Sequence, residues 1–285
     1  MSSSAVVAAR TRAQSRVRWE LLAGLIRKDL KVKYQGSVLG FLWSLVNPLV
    51  LLVVYTFVFQ VVLGTNVPRF GYYLLSGLLI WNAFSGSVGM ATDSVVSNSG
   101  LVKKVRFPLG VLPLTAVGFN LVHYALQTLV LILAMAVTGD TSFVSPAVFL
   151  LVPAILVALV FMTGLSFLVA ALNVRYRDTK HIVEVVLMAA FWVSPIVYPV
   201  SRVADHLHGW VYTLYYLNPM TAVVSGSQRA LYGAPTAPDG SPVLADSGIA
   251  FYLGKLGLAF ALALAVAALG LYTYRRLSAD FAEEL

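Results

Sequence analysis

The chain has 285 residues, 59% hydrophobic and 11% charged, with a net charge of +8 and no cysteine. A mean hydropathy of +0.83, gathered into discrete long apolar runs, excludes a soluble globular domain and marks a membrane protein. The positive charge lies between those runs, so membrane topology accounts for it ahead of nucleic acid, and disulfide or thiol chemistry is excluded.

Residues 1–18 are rich in Ser, Ala and Arg without an early apolar core, and read as a disordered cytoplasmic tail, not a cleavable signal. From Trp19 the pattern turns helical. At about 100° per residue, Trp19, Leu22, Leu25, Ile26 and Leu30 share one face, with Glu20, Arg27, Lys28, Lys31 and Gln35 opposite. Such a helix suits the membrane interface, its cations toward anionic headgroups. Asp29 interrupts the apolar arc four positions before Lys33. Either the two form a local i,i+4 pair, the preferred reading, or the carboxylate sets register against another protein surface. Gln35, Gly36 and Ser37 then form a short hinge.

Six apolar runs follow: Phe41–Leu63, Tyr72–Thr92, Leu114–Val137, Ala147–Leu172, Ile182–Tyr198 and Ile249–Tyr274. About 20 helical residues cover a hydrocarbon core of roughly 30 Å. The first run carries Asn47-Pro48, a kink signal. The fifth is the shortest, with Glu184 near one end and Pro195 near the other. Sixteen Lys and Arg residues fall on one side of these runs, and only Arg69, Arg202, Arg229 and Lys255 on the other. The positive-inside rule therefore predicts that both termini are cytoplasmic, with Lys255 snorkelling outward.

Two connections are more than loops. Asp93–Leu112 holds Ser94, Ser97, Asn98 and Ser99, then Leu101–Val105 with Lys103 and Lys104, then Arg106-Phe107-Pro108. It reads either as a short cytoplasmic helix ended by Pro108 or as a solvated basic loop. On the outer side, Val203–Tyr232 carries Trp210, Tyr212, Tyr215, Tyr216 and Tyr232 around an Asn218-Pro219 break. That predicts two short helices dipping into the interface, covered by protein. Gly233–Gly248, rich in Pro, Gly and Asp, reads as an exposed loop.

The chain shows no GxxxxGK[ST] phosphate loop, no zinc-binding spacing, and no HExxH or GxSxG motif. Ionisable residues within the runs are few: His123, with Glu184 and Lys255 near ends. A lone His123 reads as a packing residue and not a proton relay, which disfavours a proton-driven carrier. Few acidic residues at run ends argue against a metal-dependent transferase. Trp43, Tyr55, Phe59, Trp81, Phe84, Trp192 and Tyr198 read singly as belt or packing residues, and together as candidates to line a path along which sugar rings stack. Gly77, Ser85, Gly86, Ser87 and Gly89 permit close helix approach.

The run Leu25-Ile26-Arg27-Lys28-Asp29-Leu30-Lys31-Val32-Lys33-Tyr34, then Ser37-Val38-Leu39-Gly40, Trp43 and Asn47-Pro48-Leu49, resembles the permease subunit of type-2 ABC exporters. So do Arg106-Phe107-Pro108, Asn173-Val174-Arg175-Tyr176-Arg177-Asp178 and Leu217-Asn218-Pro219-Met220-Thr221. Within that superfamily the sequence is most similar to the O-antigen, teichoic-acid and mycobacterial galactan exporters, from about residue 19 onward.

The resemblance implies an all-α membrane protein of six transmembrane helices over residues 19–285, in the bacterial plasma membrane. It implies a homodimer joined to two copies of a cytoplasmic ABC ATPase, with ATP and Mg on that partner and no cofactor on this chain, which is therefore not an enzyme. The implied cargo is a polysaccharide on a polyprenyl diphosphate lipid. Alternatives are a drug or lipid exporter of the same fold, or a membrane subunit of a polyprenyl-glycan processing enzyme. Trp19–Lys33, including Arg27, Asp29 and Lys31, would be a gate helix, with Tyr34 and the Leu39-Gly40 loop toward the substrate entrance. Lys103, Lys104, Arg106, Phe107 and Pro108 would form the coupling helix seated on the ATPase. Trp210, Tyr212, Tyr215, Tyr216, Asn218 and Pro219 would form the outer gate.

Overall fold

The computed structural model describes residues 3–37, 40–104, 108–206, 210–238, 240, 242–244 and 248–285. Side chains are described from Trp19 onward, apart from Phe41, Leu45, Lys104, residues 204–206, Trp210, Thr213 and Ala282. The described residues are helical, with an isolated antiparallel bridge between Thr236 and Pro242 as their one strand-like pairing.

The elements in order are α1 (Ser3–Tyr34), α2 (Trp43–Thr56, continuing as a π-helical stretch Phe57–Val62), α3 (Phe70–Ser94) and α4 (Ser99–Lys104). Then come α5 (Val111–Val137), α6 (Leu151–Arg175, preceded by a 3-10 turn Pro146–Leu150), α7 (Thr179–Val193) and α8 (Val200–His206). The last are α9 (Trp210–Tyr215), α10 (Pro219–Leu231), α11 (Ile249–Leu277) and α12 (Phe281–Glu284). α1 is continuous from Ser3, ahead of the expected start at Trp19 and across a segment read as a disordered tail. Its Ala, Arg and Gln content favours helix.

Among the described residues, four helices are long and apolar enough to cross a membrane: Phe70–Ser94, Val111–Val137, Pro146–Arg175 and Ile249–Leu277. The first apolar run emerges as a shorter helix, Val46–Val62, and the fifth, α7, has 15 residues. α7 ends at Val193, short of Tyr198, because Pro195 disfavours helical backbone at Ser194, which is extended at φ −89°, ψ 144°. The π-helical register shows in the Leu63 N–H donating to the Val58 carbonyl at 2.9 Å.

α3 is the axis of the fold: Phe70 to Trp81 is buried without a break. It packs on α2, α5, α6, α7 and α10. Small residues make this possible. A Cβ at Gly77 would meet the Gln228 side chain at 2.9 Å, and one at Gly86 would meet Asn120 Oδ1 at 2.5 Å, so partners approach the α3 backbone itself. The tightest crossing is between α6 and α11. A Cβ at Gly164 would lie 2.5 Å from Ala267 Cα, and one at Gly270 would run into the Gly164 carbonyl.

α10 corrects the interfacial picture of the outer segment. Every residue of this helix except Arg229 is buried, enclosed by α3, α6 and α11. Its sequence explains why: Thr221, Ser225, Ser227 and Gln228 could not face lipid, and water would strand Val223, Val224 and Leu231. Asn218 starts the helix by accepting the Met220 N–H at 3.1 Å, with Pro219 in the first turn. The Gly233–Gly248 connection is also partly anchored, since Val243 and Leu244 are buried and Ser201 Oγ donates to the Val243 carbonyl at 2.9 Å.

Candidate functional site

The α1–α2 hinge is built on two left-handed glycines, Gly36 (φ 77°) and Gly40 (φ 49°), a conformation that a β-carbon resists. Leu39, placed by the sequence at the substrate entrance, lies outside the described residues. Beside the hinge, Lys33 and Tyr34 converge on His123 of α5. The His123 Nδ1–H donates to the Phe119 carbonyl at 2.9 Å. Nε2 therefore accepts, from Tyr34 Oη at 2.8 Å and Lys33 Nζ at 3.1 Å. Tyr34 Oη also meets Ser44 Oγ at the start of α2, so three helices share one polar node. Partial burial pushes the Lys33 ammonium below its usual range.

Lys33 is thereby engaged elsewhere, and the described residues contain no Asp29–Lys33 pair, contrary to the preferred reading of that spacing. Asp29 instead lines a cavity of about 300 Å³ with Leu25, Met90, Ser94, Asn98 and Thr115. Burial raises its carboxyl above the usual carboxylate range, opposed by the nearby Lys28 charge. Arg27 and Lys31 remain exposed on the outer face of α1. Ile26 anchors the inner face against Gly118 of α5.

The second connection does contain a helix, α4. Its Val102 is buried in a small core with Val95, Leu112, Ala171, Val174, Tyr274 and Phe281. That core fixes α4 against the ends of α6, α11 and α12, leaving Leu101 and Lys103 exposed. Pro108 is half-buried; Arg106, Phe107 and the Lys104 side chain lie outside the described set. Lys180, at the start of α7, reaches Asp93 at 3.5 Å, tying α7 to the end of α3.

The aromatic residues separate into three groups by exposure. Trp81 and Phe84 are each 4% exposed, locked in the core by ring contacts with Phe191 and Phe161 at 5.9 and 5.3 Å. Tyr55 and Phe59 are half-buried, Phe59 stacking on Phe70 at 4.3 Å. Trp43 (53%) and Trp192 (62%) stand on the open faces of α2 and α7. Next to Phe57, the polar Thr56 and Gln60 line a cavity of about 430 Å³ with Arg69 and Tyr72. Arg69 is itself left-handed (φ 49°), held by Asp140 at 2.5 Å and Ser142 at 3.3 Å.

At the far end of the fold, irregular backbone between α7 and α8 is buried at Ser194–Ile196 and covered by side chains. Tyr73 Oη donates to the Tyr198 carbonyl at 2.8 Å, and Gln228 Nε2 to the Pro195 carbonyl at 2.9 Å. Without these donors the carbonyls would be stranded between apolar helices. Tyr212 and Tyr216 flank Lys255, whose Nζ lies 4.5 Å from the Tyr216 centroid, 5.5 Å from Phe251 and 6.0 Å from Tyr212. Lys255 is thus caged by aromatic faces instead of snorkelling away. Tyr215 Oη approaches Tyr198 Oη at 3.5 Å. Sequence reasoning counted Tyr73 only among the clustered aromatics of the spans and missed Gln228; the signal was the mixture of Thr221, Ser225, Ser227 and Gln228 with apolar residues after Asn218-Pro219.

A profile described as ABC-2 type transporter matches residues 20–232. An O-antigen export system permease protein RfbA of Myxococcus xanthus is 36% identical over 234 residues, 82% of this chain and 88% of that protein. A protein of the same name from Klebsiella pneumoniae is 31% identical over 207 residues, 72% and 78% of the two chains. The polysialic acid transport protein KpsM of Escherichia coli is 21% identical over 211 residues, 73% and 79%.

Proposed function

The chain belongs to the ABC-2 type transporter family, and on that premise we propose that it is the membrane permease of an ATP-driven polysaccharide exporter. The observation that carries this reading is the 36% identity to an O-antigen export permease across 82% of the chain. Its cargo is a polysaccharide carried on a polyprenyl diphosphate lipid, O-antigen-like or galactan. The chain supplies the path and a separate cytoplasmic ABC ATPase supplies the energy, binding ATP and Mg in trans.

Two copies of the permease pair with two ATPase subunits in the plasma membrane, both termini cytoplasmic as the Lys and Arg distribution predicts. The open faces of α2 and α7, bearing Trp43 and Trp192, support a path between protomers lined by these two spans. Thr56 and Gln60 add hydroxyl and amide groups suited to sugars. α1 acts as the gate helix and α4 as the coupling helix; the seating of α4 on its own small core supports transmission of ATPase movement into α3, α6 and α11 without loss in a slack loop. Arg27 and Lys31, exposed and cationic, suit the diphosphate of an arriving carrier lipid.

The test is co-purification with the adjacent ATPase, followed by ATP turnover with and without lipid-linked polysaccharide. A 2:2 complex stimulated by the glycolipid is expected. A chain that purifies alone and alters no ATPase overturns the reading.

A further inference from the structure

We propose that the cavity enclosed by α1, α5, α6 and α11 binds one anionic membrane phospholipid, whose acyl chain supports the N-terminal helix and whose phosphate meets Arg275. The cavity measures about 670 Å³. Its wall is apolar, formed by Leu22 of α1, Leu109 and Leu114 at the start of α5, Phe167 of α6 and Leu271 of α11. A space of that size and polarity takes hydrocarbon and gives water too few partners.

The polar features are those of a glycerolipid headgroup region. Tyr274 lines the cavity while only 4% exposed, and its hydroxyl finds no hydrogen-bond partner among the described residues. That hydroxyl is enclosed in the small core beneath the cavity, so the headgroup contacts come from the rim. At the rim stands Arg275, exposed and without an ion pair among the described residues, with Arg276 beside it in the last turn of α11. Trp19 completes the rim at 69% exposure, the side chain that most favours the headgroup level. Guanidinium plus indole around an apolar slot is complementary to an anionic lipid.

The slot also explains how α1 is footed. Ile26 packs directly on Gly118, and Leu22, one turn earlier on the same face, lines the cavity. Hydrocarbon there completes the support. The outward flank of α11 at this level, Leu269 and Tyr272, is itself exposed, so the slot continues a lipid-facing surface. The inference stands on the cavity and not on the nature of the cargo.

The experiment uses the full chain purified in detergent, titrated with phosphatidylglycerol or phosphatidylcholine and read by native mass spectrometry, with hydrogen exchange over residues 19–34. One phosphatidylglycerol is expected to bind in preference to phosphatidylcholine and to protect α1. Arg275→Gln should weaken phosphatidylglycerol about fivefold, the worth of one charge at a membrane surface, leaving phosphatidylcholine unchanged. Leu22→Trp fills the slot and should abolish both; Leu271→Trp carries the same test if Leu22→Trp does not fold. Equal binding of the two lipids, indifference to Arg275→Gln, or retention of lipid by a folded Trp variant overturns the proposal. So does one-for-one displacement by polyprenyl phosphate, which would make the slot a cargo site. Failure of the lipid proposal leaves the export reading standing, since the ATPase assay tests that separately.

Discussion

Tyr34 and Lys33, adjacent on α1, both donate to a single acceptor, Nε2 of His123, from 2.8 and 3.1 Å. Because Nδ1 is committed to the Phe119 carbonyl, that one lone pair holds the end of α1 to α5. His123→Phe removes both hydrogen bonds and returns the exposed Lys33 ammonium to water, at a cost of about 1–2 kcal/mol. Tyr34→Phe should cost about 1 kcal/mol, since Lys33 then takes the lone pair alone. Hydrogen exchange at residues 28–34 checks both: amides there should exchange faster in His123→Phe than in Tyr34→Phe, and equal protection in all three proteins would sink the idea.

Asp29 makes the docking of α1 dependent on pH. Its carboxyl is raised in the folded chain, so the stabilisation belongs to the protonated form: it is complete below the ordinary carboxylate range and is lost as pH rises through the raised value. Acidification through the raised value should therefore relieve the Asp29 penalty on α1, read as the protection of the native chain relative to Asp29→Asn. Asp29→Asn should show the acid-like protection already at neutrality and lose the dependence. An unchanged pH profile in Asp29→Asn would refute the assignment.

The carbonyls of Pro195 and Tyr198 depend on two side chains from other helices. Tyr73→Phe removes one donor, costing about 1–2 kcal/mol, and Gln228→Leu should cost as much or more because its amide is fully enclosed. Thermal unfolding in detergent measures this, and the double variant should fall short of the sum, since both donors brace the same turn. Strict additivity would show that the two bonds act independently.

Gly270→Ala forces a methyl group into the Gly164 carbonyl. Backbone on backbone cannot yield by rotating a side chain, so a loss of roughly 3 kcal/mol or complete failure to accumulate is expected. Gly254→Ala, on the same helix with nothing within 4 Å of the added carbon, is the control and should be neutral or slightly stabilising. Equal behaviour of the two variants would mean that α6 and α11 do not cross as closely as described.

The local features were legible because they depend on neighbours within a turn or two. The apolar face of α1 and the break at Asn218-Pro219 follow from spacing and from the backbone limits of proline, whereas the fifth run, read through to Tyr198, stops at Val193. The Asp29–Lys33 pairing was the natural reading of i,i+4 geometry, yet a contact 90 residues away won Lys33. A local pair worth a few tenths of a kcal/mol yields to a partly buried acceptor.

Trp81 and Trp192 mark where periodicity stops being informative. Lipid and protein interior are equally apolar, so a tryptophan facing one is not distinguished in sequence from a tryptophan facing the other; helix packing put the first in the core and the second on an open face. α10 shows the same limit from the polar side. Its mixture of Ser, Thr and Gln with Val and Leu excludes both lipid and open water, but which helices close around it depends on where Gly77, Gly164 and Gly270 allow backbones to meet. Composition and charge spacing thus fix a multi-pass helical chain and its expected orientation, since the cost of polar groups in hydrocarbon acts residue by residue. The node at His123, the covered turn at Pro195 and the cavity beneath α1 arise from contacts between segments far apart in the chain, whose energies depend on shape complementarity that no local pattern encodes.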